Sequence, residues 1–151
     1  MLYLMGMRDD LIGMRYRAKF IIQTLCGLLL VASGFCFDNL YGLFGIYELP
    51  YYVGIPFTVF IIVYIMNAIN LIDGIDGLAS GLSMIAFFAF GCMFVCLHWW
   101  LYAFISFAAL GALIPFFYYN MFGQTRRGRK VFMGDTGSLT IGLLLAVMAI
   151  H

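Results

Sequence analysis

Long apolar runs separated by short polar stretches organise this chain. A bilayer crossing needs roughly 20 consecutive apolar residues. The runs therefore predict spanning helices at about 20–37, 53–69, 79–97 and 99–119. Shorter apolar pieces at 1–7 and 139–150 predict a partial helix at each end. The chain thus reads as a single membrane domain, 1–151, from the central part of a larger protein. Between the first two spans, residues 38–52 carry Asn39, Gly42, Gly45 and Pro50 among aromatics, which predicts a short hairpin-like loop on the outer side. Pro56 falls near the start of a span, where a proline is tolerated, and Pro115 predicts a kink in the last full one. His98 marks a tight turn, with Trp99, Trp100 and Tyr102 as interfacial anchors. The expected fold class is an all-α polytopic integral membrane protein with four full transmembrane helices.

Composition agrees with that pattern and sharpens it. Of the 151 residues 65% are hydrophobic and 10% charged, and the mean hydropathy is +1.03, far from a soluble domain. A net charge of +1 says nothing about nucleic acid, and no basic stripe with interleaved aromatics suggests one, so the expected partner is the lipid bilayer and not a nucleic acid. Cys26, Cys36, Cys92 and Cys96 all lie in apolar runs without zinc spacing and read as buried small hydrophobes. All 8 lysines and arginines fall at 8–19 or 126–130. Four crossings between these clusters put both on one face, and the positive-inside rule makes it cytoplasmic.

The chemistry concentrates in N-A-I-N-L-I-D-G-I-D-G-L, where Asn67, Asn70, Asp73 and Asp76 recur at every third residue. On a helix, steps of three drift by about 60°, so these groups fan out instead of forming one stripe. A helix end carrying Asn67 and Asn70, then a glycine-bent turn presenting Asp73 and Asp76, is expected. Asp9, Asp10, Asp73, Asp76 and Asp135 are expected on the same face, whereas Asp38 and Glu48 fall on the other. Clustered carboxylates call for a cation, and oxygen donors without His or Cys suit Mg²⁺ or Mn²⁺ better than zinc. Lys19 and the 126–130 run can neutralise phosphates. In V-F-M-G-D-T-G-S at 131–138, backbone amides and hydroxyls at a helix entry are expected to be open to phosphate oxygens. Acids, a hard metal and basic side chains at a membrane rim suit phosphoryl transfer. A cation transporter subunit or a non-enzymatic membrane fragment is the rival reading.

Five blocks in order, G-M-R-D-D at 6–10, K-F-I-I-Q at 19–23, the Asn/Asp block at 67–79, Y-Y-N at 118–120 and V-F-M-G-D-T-G-S, give the chain a resemblance. It resembles the polyprenyl-phosphate N-acetylhexosamine-1-phosphate transferases. The resemblance implies transfer of a sugar-1-phosphate from a UDP-N-acetylhexosamine to a polyprenyl phosphate with Mg²⁺, releasing UMP, in a cell membrane enzyme with cytoplasmic active-site loops. It also allows a homodimer. It implies that Asp9, Asp10 and Asp135 are catalytic, and that Asn67, Asn70, Asp73, Asp76 and Asn120 line the nucleotide and pyrophosphate site. Lys19 would contact phosphate, and Asp135, with Asp10, would hold the metal. Asp9 is expected to position the nucleophilic phosphate or its metal, with general base as the alternative, because a phosphate monoester is already mostly dianionic at neutral pH. The 124–130 insertion with its three arginines looks more like the N-acetylglucosamine branch than the muramoyl-pentapeptide branch.

Overall fold

The computed structural model describes residues 2–13, 15–39, 47–123 and 130–151, and these form six α-helices. They are α1 (Leu2–Ile12), α2 (Tyr16–Ala32), α3 (Tyr51–Ile72), α4 (Leu78–Cys96), α5 (Trp100–Phe122) and α6 (Gly134–Ile150). Three of them, α3, α4 and α5, are long and apolar enough to cross a membrane. The expected span at 20–37 is instead a shorter helix of 17 residues, which starts four positions earlier and takes Arg17 and Lys19 into its first turns. The chain beyond it is extended, yet still follows α3: the Phe37 amide donates to the Thr58 hydroxyl at 3.0 Å. The ends differ from expectation too. α1 runs on through Asp9 and Asp10, and α6 begins at Gly134, so G-D-T-G-S is its first turn and not a loop.

The turns behave as their residues require. Between α4 and α5, His98 adopts φ 60°, and the Trp99 amide reaches back to the Phe94 carbonyl at 2.9 Å. α5 continues through Pro115 to Phe122. The expected hairpin is present at its base, where Asn39 pairs antiparallel with Glu48 and the Leu49 amide donates to the Asp38 carbonyl at 2.9 Å. Its tip, 40–46, lies outside the described residues. No cysteine among those described is bonded to another, but only Cys26 is buried; Cys92 and Cys96 sit on the exposed side of α4, which corrects the uniform burial expected. An apolar helix in lipid need not bury every small side chain against protein.

α6 lies at the centre of the packing. Leu145 and Met148 join Ile69, Phe87, Phe94, Ala103 and Leu113 in one cluster, while Leu139 and Ala146 join Met5, Ile62 and Met66 in a second. Lipid gives helices little hydrophobic reason to associate, so close van der Waals packing over small residues must hold them. Gly142 supplies that where α6 crosses α3. A Cβ there would stand 2.7 Å from the Met66 Cα, which is backbone and has no rotamer to give. Gly111 on α5 is the contrast, with nothing within 4 Å of the added carbon. Unfolding in detergent is expected to show a loss of about 1–3 kcal/mol for Gly142→Ala from overpacking. Gly111→Ala should instead be neutral or gain up to about 1 kcal/mol through helix propensity.

Candidate active site

One end of the helix bundle gathers the chemistry. α1 reaches it at its C-terminus, α2 and α6 at their N-termini, and α3 at its C-terminus. The approach of α1 to α6 depends on Gly6, where a Cβ would lie 2.4 Å from the Thr136 Cα. One helical turn later, Asp10 meets the first turn of α6. Its Oδ1 accepts the Asp135 amide at 2.8 Å, and its Oδ2 accepts the Thr136 hydroxyl at 2.9 Å and the Thr136 amide at 3.4 Å. Asp10 is thus a capping carboxylate supplied from another helix, in the position that favours negative charge. The chain enters α6 through Gly134 at φ 64°, where a Cβ would come within 3.0 Å of the Asp10 carboxylate. These contacts correct the expectation that the G-D-T-G-S amides and hydroxyls are open to phosphate. Asp10 takes the amides of Asp135 and Thr136, and the Ser138 hydroxyl donates to the Gly134 carbonyl at 3.0 Å.

Lys19, in the second turn of α2, extends its ammonium between Asp9 and Asp135 and pairs with the Oδ2 atom of each. The Asp9 side chain is only 5% exposed, and Lys19 supplies charge to compensate it. The other Asp135 oxygen accepts Asn70 Nδ2 at 2.6 Å, and the same nitrogen lies 2.8 Å from the Ser138 hydroxyl. Asp9, Asp135, Lys19 and Asn70, from four different helices, therefore form one connected cluster.

The four residues of the Asn/Asp block fan out as their spacing predicts. Asn67 faces α2, donating to Gln23 Oε1 at 2.8 Å and to the Val63 carbonyl at 2.8 Å. Asn70 faces α6. Asp73 ends α3, and its carboxylate makes no hydrogen bond or ion pair among the described residues. Burial, and then the negative charges of Asp10 and Asp76, push its pKa above the ordinary value. Asp76, in the turn, pairs with Lys130, whose ammonium also lies 5.4 Å from the Phe132 ring centre. Asn120, near the end of α5, is 6% exposed and uses both ends of its carboxamide. Its oxygen accepts the Gly77 amide at 2.6 Å and its nitrogen donates to the Val131 carbonyl at 2.9 Å. In this arrangement Asn67 and Asn120 brace the cluster rather than face into it.

All five acids expected on one face meet at this end, and Lys19 and Lys130 join them there. Arg126, Arg127 and Arg129 lie outside the described residues, as does the 124–129 part of the insertion. Gln23, Thr136 and Ser138 were not singled out individually in the sequence. Gln23 carried a signal, since a carboxamide inside an apolar run needs a partner, and it is fully buried against Asn67.

As arranged, the acids do not fit a resident metal ion. Among the described residues, no three His, Cys, Asp or Glu side chains are grouped so as to hold one. Asp10 and Asp135, expected as its ligands, already have both oxygens engaged. Beside the cluster, an open groove of about 610 Å³ runs between α2 and α3. Phe20, Leu28, Pro56, Phe60 and Tyr64 line it, and Asn67 lies at its site end.

A polytopic membrane chain with acids and a lysine joined at one helix end defines a class, and sequence comparison supplies the family. The whole chain, residues 1–151, matches glycosyl transferase family 4, and it belongs to that family. It is 38% identical over 160 residues to the phospho-N-acetylmuramoyl-pentapeptide-transferase of Enterococcus faecalis, covering 97% of this chain and 48% of that protein. It is 34% identical over 154 residues to a probable undecaprenyl-phosphate N-acetylglucosaminyl 1-phosphate transferase of Bacillus subtilis, covering 97% and 40%. The undecaprenyl-phosphate alpha-N-acetylglucosaminyl 1-phosphate transferase of Yersinia pestis is also 34% identical, over 146 residues, covering 94% and 39%. The chain thus spans less than half the length of these relatives.

Asp73 generates a test. Because its folded pKa is raised, the fold binds that proton more tightly than the unfolded chain, and stability falls as pH rises above the ordinary value of 3.8. Asp73→Asn is expected to raise the melting temperature in detergent at neutral pH. The gain should shrink as pH is lowered toward 3.8, where the wild-type carboxyl is protonated.

Proposed function

We propose that this chain carries the reaction centre of a membrane phosphoglycosyl transferase. It moves N-acetylhexosamine-1-phosphate, GlcNAc-1-phosphate in the first instance, from a UDP-sugar to undecaprenyl or another polyprenyl phosphate. The reaction runs at the cytoplasmic face of the cell membrane and serves cell-wall or surface polysaccharide synthesis. The observation that carries this reading is the cluster of Asp9, Asp135, Lys19 and Asn70 with Asp10 and Asp73 beside it, at the head of an open apolar groove.

The groove suits the acceptor. From Ile55 to Asn67, α3 alone provides about 18 Å of wall at 1.5 Å per residue, enough for several isoprene units of a polyprenyl tail. The tail's phosphate would then lie within reach of Lys19. One of its oxygens attacks the sugar-bearing phosphorus of the UDP-sugar. The bond from that phosphorus to the bridging oxygen breaks, and UMP leaves with the electron pair. The acceptor phosphate is already mostly dianionic at neutral pH, so a general base would lower the barrier little. Alignment of two anions is the harder task, and it falls to the ammonium and the carboxamides. Asp9, committed to Lys19, acts by positioning. The Mg²⁺ or Mn²⁺ expected from the sequence belongs to this proposal as a counter-ion of the two reactants, although the acids as arranged do not form its site.

The helices α3, α4 and α5 contain no formal charge, which favours this reading over ion transport through the bilayer. The 38% identity to the Enterococcus faecalis protein favours a second donor, a UDP-muramoyl-pentapeptide, with the same chemistry. Membranes holding the intact gene product, polyprenyl phosphate and either labelled donor distinguish the two. Lipid-linked label from one donor is expected, and Asp135→Asn should reduce its rate by about 10²-fold or more. Transfer from neither donor would remove the proposal.

A further inference from the structure

A carboxamide inside an apolar helix needs a reason, because burying it costs free energy that an apolar side chain of the same size would not. Gln23 is such a residue: it sits in α2 with no exposed surface, so it offers no contact to a reactant. Its Oε1 accepts Asn67 Nδ2 at 2.8 Å, and its Nε2 donates to Asn67 Oδ1 at 3.4 Å. One turn before it on the same face of α2 is Lys19, and one turn after it is Gly27, where a Cβ would lie 3.2 Å from Val59 Cγ1. Asn70 follows Asn67 by one turn on α3. Lys19 and Asn70 then close on the two oxygens of the same Asp135. These contacts form a ring that runs from Lys19 through Asp135 to Asn70, back along α3 to Asn67, across to Gln23, and along α2 to Lys19 again.

We propose that Gln23 is a positioning residue: its paired carboxamide fixes α2 against α3 in the one register that delivers the Lys19 ammonium to Asp135 and to an acceptor phosphate. Apolar helix faces in lipid have little preference among neighbouring packings, since the lipid is as apolar as the side chains. A directional bond between two buried carboxamides does discriminate. Displacing α2 by a single residue means a rise of about 1.5 Å and a turn of about 100°, which breaks that bond and carries Lys19 off the acids. In-line attack between two anions is sensitive to misplacement of about 1 Å. The reacting end of the helix pair is therefore aligned by a contact one turn away from it. The inference rests on the proposed function, because it takes the anion beside Lys19 to be the acceptor phosphate of that reading.

The intact gene product in lipid nanodiscs tests it through reductive methylation of the Lys19 amine, read by mass spectrometry, alongside the melting temperature and sugar transfer. The decisive variant is Gln23→Met/Asn67→Leu, which removes both carboxamides and leaves no orphaned partner, so its melting temperature should stay close to that of wild type. A role in stability alone predicts nothing further. Positioning predicts Lys19 labelling about tenfold faster than in wild type, and kcat about tenfold lower with the KM for polyprenyl phosphate within about twofold. Gln23→Met alone should show the same fast labelling with a lowered melting temperature, because the Asn67 carboxamide loses its partner on α2. Phe94→Leu is the control, since Phe94 is fully buried in a cluster of α3, α4, α5 and α6 side chains. It should lower the melting temperature through lost packing and leave Lys19 labelling unchanged. Wild-type labelling or an unchanged kcat in the double variant, equal acceleration in Phe94→Leu, or a double variant that does not fold would overturn the proposal. Labelling needs no substrate, so the two ideas fail separately. Transfer with wild-type labelling in the double variant sinks this inference alone, whereas fast labelling without transfer from either donor sinks only the sugar-transfer reading.

Discussion

A carboxylate buried at the end of an apolar helix, as Asp9 is, has little water to solvate it and must be given positive charge or donors by the fold itself. Among the described residues two sources of positive charge serve three acids. The Lys19 ammonium compensates Asp9 and Asp135, and the unsatisfied amides at the start of α6 compensate Asp10. Much of the helix packing serves to bring those sources into range. α1 can reach α6 only because Gly6 lets backbone touch backbone, and α6 is fixed against α3 in the same way at Gly142. Among the described residues no counter-charge pairs with Asp73, and burial with the neighbouring Asp10 and Asp76 raises its pKa.

Much of this was legible from residue order. Apolar run length located α3, α4 and α5 within a few residues, and the three-residue spacing foretold that Asn67, Asn70, Asp73 and Asp76 would face different neighbours. Of the two basic clusters expected at one end, Lys19 and Lys130 are found there. The length of α2 was overestimated because the extended segment after Ala32 is as apolar as the helix before it, and hydropathy does not distinguish the two. The roles of individual polar atoms were less accessible. The amides at the start of α6 look free in the local sequence, and their partner lies 125 residues away. Similarly, Asn120 reads as a site residue by its motif, whereas its atoms bind Gly77 and Val131. Local pattern identifies which residues are polar in an apolar chain; only packing decides which of them satisfy each other.

The groove and the cluster divide the work between apolar and charged surfaces. α2 contributes to both, with Phe20 and Leu28 on the groove and Lys19 on the acids. α3 does likewise, through Phe60 and Tyr64 on one side and Asn70 on the other. The Gln23–Asn67 pair stands where the two surfaces meet and joins the two helices there. A single helix pair therefore sets the height of the acids relative to the apolar groove.

The Asn120 contact to Val131 closes the segment between α5 and α6 at its root. With Asn120 tied to Val131, the ends of the connection are held together, and the entropic cost of a longer connection grows only slowly with its length. Extra residues can accumulate there without disturbing Asp135. The stretch between α5 and α6 is thus one position at which surface can be grafted and exchanged beside an unaltered cluster of acids.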